Sequence, residues 1–494
     1  MKYVSTRNKE RVVSGAQAIV EGISPDGGLY VPQQFPELKK ADWEKLCGMD
    51  YTERAAFVLS LFLDDFCYDE LLTFAKEAYG RFYGEDPCPL TKVDEDLFFL
   101  ELWHGPTCAF KDMALTMLPH LLTASKRKIG QEGKTLILTA TSGDTGKAAM
   151  EGFRDVEGTS IIVFYPSDGV SDMQRRQMIT QEGKNVCVCA IKGNFDDAQS
   201  AVKRIFTSEE TAAKLAESGY KLSSANSINW GRLAPQIAYY ISAYCDLLNA
   251  GEIKFGERVD FCVPTGNFGD ILAAYYAMRM GMPEGRLICA SNSNKVLTDF
   301  FRSGTYDTRR KFVETMSPSM DIIISSNLER LLFEYSGRDD KLTAERMNAL
   351  KAQGYYSVSE GELAKMRELF GCGSCDEEET AEVIADYFDE YGYLLDPHTA
   401  VAAGVYGEQE EEKGVPCVIV STANPYKFPA DVLEAVAQVR EDDPYEAAKK
   451  LNEFSGAPVP QPLCGLDKKP VRFDKVIEKG EIENFVLEKA KGGL

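Results

Sequence analysis

One lysine, two glycine-rich turns and a short run of amides ending in an arginine are the residues of this 494-residue chain best suited to chemistry. Lys111 stands in HGPTCAFKDMALTM, after a Gly-Pro turn and before a segment whose apolar residues Met113, Leu115, Met117 and Leu118 predict a buried helix start. Taken alone, such a lysine snorkels, laying its methylenes on apolar surface and its charge in water. Held in apolar surroundings, its amine has a depressed pKa and becomes a nucleophile able to form a Schiff base.

TATSGDTGKAAM, residues 139–150, and VPTGNFGDILAA, residues 263–274, each join an apolar strand to a helix through a turn rich in Gly, Thr, Ser and Asn. Backbone N–H groups and the positive helix end can face an anion there, a phosphate or a carboxylate. The pair Gly146-Lys147 suggests a nucleotide P-loop, but that loop needs glycine where Thr141 stands and a hydroxyl where Ala148 stands. The second turn is not a dinucleotide-binding G-x-G-x-x-G. A third cluster, SSANSINWGR, crowds Asn226, Ser227, Asn229 and Arg232 at the entry to a helix. These are either turn and capping residues with a surface cation, or uncharged donors and a planar cation for a phosphate ester. An activated amine beside two anion turns asks for a phosphorylated carbonyl cofactor, and pyridoxal phosphate is the obvious one.

Composition narrows the alternatives. Only three histidines are present, His104, His120 and His398, which disfavours a His-rich catalytic zinc site or a Ser-His-Asp triad. Thirteen cysteines at irregular spacing fit a reduced cytosol, and the single C-x-x-C, Cys372 and Cys375, is a weak zinc signal without a second pair, so no metal is expected. The formal net charge of −22 repels nucleic acid and anionic membrane surfaces. The charged N-terminal stretch lacks the apolar centre of an export signal, and AAFVLSLFL is too short to span a bilayer, so a soluble cytoplasmic protein is expected.

The elements that must position these residues follow from periodicity. Up to about residue 95 a turn-rich start, SPDGGLYVPQQFP, precedes helical stretches such as YTERAAFVLSLFLDDF and YDELLTFAKEAYGRFYG. Then short apolar runs alternate with helices: KTLILTA before DTGKAAMEGF, TSIIVFYP before VSDMQRRQMITQ, NVCVCAI before DDAQSAVKRIF. The pattern resumes at VDFCVP, LICASNS and VPCVIVST. Repeated strand, tight turn and helix predict parallel β-α-β units, an α/β fold with two lobes and a cleft between them.

Together the motifs MKYVSTR, DGGLYVPQQFP, ELWHGPTCAFKD, TATSGDTGKAA, SANSINWGR, PTGNFGD, DPHTAVA and STANPYKFP resemble the threonine synthases, pyridoxal-phosphate enzymes of the tryptophan-synthase-β structural class. They run in order over residues 1 to about 430. The resemblance implies two parallel-sheet lobes of the fold type II class with an added N-terminal domain: residues 1–95 N-terminal, 96–130 and 225–494 the large cofactor-binding domain, and 131–224 a smaller mobile domain. It implies that Lys111 joins the cofactor covalently, that Gly266, Asn267, Phe268, Gly269 and Asp270 surround its phosphate, and that Thr422 faces its pyridine nitrogen. It further implies that Ser142, Gly143, Asp144 and Thr145 receive the substrate's α-carboxylate and amino region, and that Asn226, Ser227, Asn229 and Arg232 hold its phosphate ester.

The reaction implied is conversion of O-phospho-L-homoserine and water to L-threonine and phosphate by γ-elimination and β-replacement. A related dehydratase or phospho-lyase, which would not need Arg232, is the alternative, and monomer or homodimer is left open. Gln174 and Gln177 are expected in a supporting role. Two positions depart from the family pattern: Asn424 stands where relatives often have histidine, and Cys108 fills the variable place in HGPT-x-AFKD.

Overall fold

Runs of aliphatic and aromatic residues with no polar alternation, such as LFFLE, TSIIVFYP and CVIVS, form strands buried on both faces, as parallel sheets covered by helices require. The computed structural model describes residues 1–141, 143–167, 170–193, 195–409 and 414–494. Among them two main sheets stand out. The larger has six strands in the order Phe370–Ser374, Glu284–Ser291, Val259–Pro264, Cys417–Ser421, Leu97–Glu101, Leu90–Asp94. All its pairings are parallel except the last. The smaller has five parallel strands in the order Val476–Glu478, Val186–Lys192, Thr159–Pro166, Lys134–Ala140, Tyr220–Ser223. This is the expected α/β arrangement of two parallel-sheet lobes.

Three features differ from the sequence expectation. The start of the chain is not only turns: Lys2–Ser5, Asn8–Ser14 and Tyr30–Pro32 pair antiparallel into a small sheet. Asn8–Ser14 carries charge and stays largely exposed, so no hydrophobic periodicity announces it. Leu90–Asp94 forms a hairpin with Leu97–Glu101, so a boundary at residue 95 cuts through a strand pair of the large sheet. Residues beyond 474, expected with the large lobe, belong instead to the small one. Val476–Glu478 extends its sheet beside Val186–Lys192, and the helix Ile482–Lys491 buries Ile482, Phe485 and Val486 in the same core as Leu136, Ile162 and Ile191.

The helices Tyr51–Phe62 and Tyr68–Tyr79 form as the periodicity predicts, the first closed by an Asp50/Glu53 capping box. The N-terminal unit shares one core with the large lobe through the 21-residue helix Trp230–Ala250. Its first residue, Trp230, packs against the rings of Tyr3 and Phe62 at centroid distances of 5.2 and 5.5 Å. Among the described residues no helix is long and apolar enough to cross a membrane.

Candidate active site

The turn HGPT-x-AFK is built to present Lys111. Gly105 packs so tightly on Asp112 that any side chain would collide with its carboxylate. That carboxylate in turn accepts from the Thr107 N–H and hydroxyl, both at 2.7 Å. Burial pushes Asp112 up to about 6. Beyond it, Phe110 N–H donates to Thr422 O at 2.8 Å and Asn424 N–H to Cys108 O at 3.1 Å. A strand-like bridge between residues 108–110 and 422–424 therefore seats Lys111 at the carboxyl end of Cys417–Ser421, where ligands of open α/β sheets bind.

Lys111 is 9% exposed. Its Nζ donates to Ser319 Oγ at 3.3 Å and lies 3.7 Å from Asp144 Oδ2 and 4.7 Å from the Phe110 ring centroid. Burial lowers its pKa to about 8; Asp144 works against this, while Lys427 and Arg232 add to it. The ion pair and the lowered pKa point in opposite directions, and desolvation wins because the amine is buried and the positive charge of Lys427, 2.5 Å from Asp144 Oδ1, opposes the attraction of that carboxylate. Burial raises Asp144, yet Lys427 and Lys111 hold it well below the usual carboxylate range. The neutral amine is the form that attacks a carbonyl, so covalent capture of pyridoxal phosphate by the apoprotein should accelerate about tenfold per pH unit up to about 8, then level off. Stopped-flow absorbance reads this; a rise continuing to pH 10 would mean an ordinary surface lysine.

The segment after Val259–Pro264 supplies the anion cradle. Phe268 adopts a left-handed backbone at φ 62° and opens the helix Gly269–Arg279. Among the described residues, none of the N–H groups of Gly266, Asn267, Phe268, Gly269 and Asp270 donates to the chain. Carbonyls here are taken: Gly266 O accepts from Ser325 Oγ at 2.7 Å, and Asn267 O from Asn327 N at 3.1 Å. Unspent N–H groups at a helix N-terminus fit a phosphate. Asp270 Oδ1 accepts from Tyr239 and Tyr240 at 2.5 and 2.7 Å, its Oδ2 has no partner among the described residues, and burial raises the carboxyl to about 6. Thr422 lines the same cavity as Lys111 and this cradle. A primary amine, five free N–H groups and a hydroxyl around one cavity fit the aldehyde, phosphate and ring nitrogen of pyridoxal phosphate.

Of the residues assigned to the substrate, Asp144, Thr145, Asn226, Ser227 and Arg232 line this cavity. Arg232 is 4% exposed, donates through Nη1 to Ala225 O at 2.9 Å, and leaves Nε without a partner. No carboxylate pairs with it among the described residues, and burial lowers its pKa to about 10. Asn229 must be withdrawn from the set. Its Oδ1 caps Trp230–Ala250 by accepting from Gly231 N at 2.9 Å, and its Nδ2 donates to Ile19 O and Ser224 O, so every polar atom is spent away from the cavity. Gly143 is likewise not in the lining; its N–H donates to Thr141 Oγ1 at 3.0 Å, and its φ of 148° suits only glycine beneath Gln174. Ser142 lies outside the described residues. Asn424 caps the turn Pro425–Lys427 through Tyr426 N at 3.0 Å rather than touching the cavity.

Three groups in the site were not assigned from sequence. Ser319 hydrogen-bonds Lys111 and donates to Asp144 Oδ2 at 3.2 Å, and its N–H donates to His398 Nε2 at 3.1 Å. An accepting Nε2 puts the imidazole proton on Nδ1, which faces Asp396 Oδ1 at 2.8 Å. Lys427, fully buried, also donates to Thr107 O at 3.0 Å. His398 and Lys427 lie within DPHTAVA and STANPYKFP, so the motif was the available signal. Gln174 donates to Asp144 Oδ1 at 2.9 Å, a supporting contact as expected, whereas the Gln177 amide only reaches Thr107 O at 3.4 Å.

The family model described as threonine synthase N terminus matches residues 2–79, that of the pyridoxal-phosphate dependent enzymes residues 83–422, and that of the threonine synthase C-terminal region residues 399–486. Human threonine synthase-like 1 is 41% identical over 92% of this chain, which spans only 62% of that relative's length. The threonine synthase of Pseudomonas aeruginosa is 40% identical over 88% of this chain and 90% of its own. Among solved structures, pyridoxal-phosphate-bound threonine synthase from Brucella melitensis superposes with a TM-score of 0.88 at 38% identity, covering 99% of this chain and 100% of that one. Yeast threonine synthase gives 0.88 at 31% identity, covering 100% and 99%. By sequence and by fold, the chain belongs to the threonine synthase family of pyridoxal-phosphate dependent enzymes.

Proposed function

We propose that the protein converts O-phospho-L-homoserine and water to L-threonine and phosphate. The observation that carries this reading is the cavity shared by Lys111, an amine poised near neutrality, and Arg232, a buried guanidinium with no carboxylate of its own. Bound pyridoxal phosphate supplies an electrophilic carbonyl and a ring that delocalises charge developed at the substrate's α carbon. Lys111 would hold that cofactor and, with the substrate bound, would stand beside the reacting centre as the amine that moves protons at the α and β carbons. Loss of those protons drives phosphate off the γ carbon. A proton goes back to the γ carbon, which becomes the methyl group, water adds at the β carbon, and a proton returns to the α carbon, with Lys111 the nearest carrier.

Ser319 bridges the Lys111 amine and the Asp144 carboxylate, a route by which the lysine's proton is held close without leaving the site. Gly266 to Asp270 hold the cofactor phosphate through N–H groups. Thr422 offers the pyridine nitrogen a neutral hydroxyl, which does not keep it protonated as a carboxylate does, so elimination and replacement are favoured over transamination. Arg232, with Asn226 and Ser227, takes the substrate's phosphate ester, while Asp144, Thr145 and their turn face its amino-acid end. Asp144 of the small lobe meets Lys427 and Ser319 of the large one, and closure across that contact excludes water until phosphate has left. A cytoplasmic setting belongs to the same proposal, supported by thirteen cysteines that are all free thiols.

The test is an assay of the holoenzyme with O-phospho-L-homoserine in which phosphate and threonine are quantified together. Equal yields are expected; phosphate with a keto acid and little threonine would replace this reading with a phospho-lyase. Arg232→Ala should lower kcat/KM for the phosphorylated substrate about 30- to 150-fold, the worth of a charge-assisted contact of about 2–3 kcal/mol. An unchanged kcat/KM would move the phosphate pocket elsewhere.

A further inference from the structure

A second cavity opens farther along the helix Asp144–Phe153 that begins at the active site, lined by Arg81, Lys147, Glu151, Arg154, Gln177 and Lys469 among others. Its charge runs against the rest of the molecule. The chain carries 77 acidic residues to 55 basic ones, yet here four cations face Glu151 and Glu182, the latter's side chain 69% exposed. Glu151, at 9% exposure, is shared by Arg81, by Lys147 at 3.4 Å and by Arg154 at 3.3 Å. One buried carboxylate therefore serves three cations, of which Arg154 also reaches the exposed Glu182 at 3.8 Å. Lys469, exposed on the turn after Leu466–Lys468, has no ion pair among the described residues.

A buried acceptor adds a second constraint. Gln177 is 1% exposed, and its Oε1 has no hydrogen-bond partner. Leaving such an atom unpaired costs about 1–3 kcal/mol, so a ligand that donates to it gains that amount in addition to the cationic field. Surplus positive charge together with one unspent acceptor describes an oxyanion that still carries a proton. We propose that this cavity binds monohydrogen phosphate, its charged oxygens on Arg81, Lys147, Arg154 and Lys469 and its hydroxyl on Gln177.

The ligand joins three parts of the chain. Arg81 follows the helices of the N-terminal unit, Lys147 and Arg154 belong to the small lobe, and Lys469 lies on the segment that returns from the large lobe toward Val476–Glu478. Phosphate bound there ties the helix bearing Asp144 to parts outside its lobe and restrains the closure proposed above. Binding itself does not depend on the reaction assignment; the restraint on closure does.

The experiment is phosphate binding to the holoenzyme at pH 8, followed by ³¹P NMR line broadening and calorimetry, on wild type, Arg154→Gln/Lys469→Gln, Lys469→Gln alone and Arg232→Ala. Because the Arg154 and Lys469 side chains reach solvent, these variants keep their fold, which thermal melting checks. Wild type should show two sites. The double variant should lose one with at least about tenfold weaker binding, Lys469→Gln should weaken that same site by less, and Arg232→Ala should lose only the other. Methyl phosphate, which has no proton at pH 8, should bind the second site at least about tenfold more weakly than inorganic phosphate. A double variant that binds like wild type, or a wild type whose only site is the one Arg232→Ala removes, would overturn the proposal. Methyl phosphate binding as tightly as phosphate would overturn the role of Gln177.

Discussion

Lys111→Ala is expected to lower turnover by at least about a thousandfold and to abolish the visible absorbance of cofactor joined covalently to the protein. The size of the effect follows from how many tasks fall to one amine. In the proposed reaction it would hold the cofactor and serve as the base beside the α carbon, buried at a pKa of about 8 where it can accept and return a proton at neutral pH. The cations packed around it are poor substitutes. Lys427, the amine nearest Asp144, is held 2.5 Å from that carboxylate and bonded to Thr107 O, and Arg232 does not release a proton near neutrality. Cofactor should still bind non-covalently, because the N–H cradle of residues 266–270 is untouched. Turnover within tenfold of wild type would remove Lys111 from the mechanism altogether.

The second large effect is on stability. Lys427→Ala removes a fully buried ammonium from a carboxylate that is itself 3% exposed, and breaking such a pair on one side costs about 3–5 kcal/mol because the remaining charge is stranded. The Thr107 carbonyl loses its partner as well, which loosens the turn that presents Lys111. Urea unfolding of the apoprotein should show the loss, and the double variant Lys427→Met/Asp144→Asn should recover part of it by leaving no charge unpaired. Lys427 also helps to depress the Lys111 pKa, so its removal raises that pKa, and the pH profile of cofactor capture should shift above about 8. A stability change below about 1 kcal/mol would mean that Asp144 is solvated and the pair unimportant.

The lobes were legible because parallel strands buried on both faces leave unbroken apolar runs, and KTLILTA, TSIIVFYP and VPCVIVST could hardly be anything else. Lys111 was legible because a Gly-Pro turn ahead of an apolar helix is an odd place for an amine. Other parts left no local trace. Ser319 lies 208 positions from the lysine it touches, in a stretch, MSPSMD, that reads as an ordinary turn. Asn229 was misjudged because asparagine is equally suited to capping a helix and to binding a phosphate ester, and only the partners of its amide decide between them. Val476–Glu478 is three residues long, and what makes it a strand is the exposed edge of Val186–Lys192 beside it.

That late strand ties assembly to the clock of translation. Lys192 and Glu478, paired at the rim of the small sheet, stand 286 positions apart. At about 5–20 residues per second, a ribosome needs roughly 15–60 s to make the intervening chain. Throughout that interval Val186–Lys192 is the end of a growing sheet with a row of unsatisfied amides, open to pairing with any extended chain nearby. The small sheet is therefore complete only after nearly the whole chain has been made.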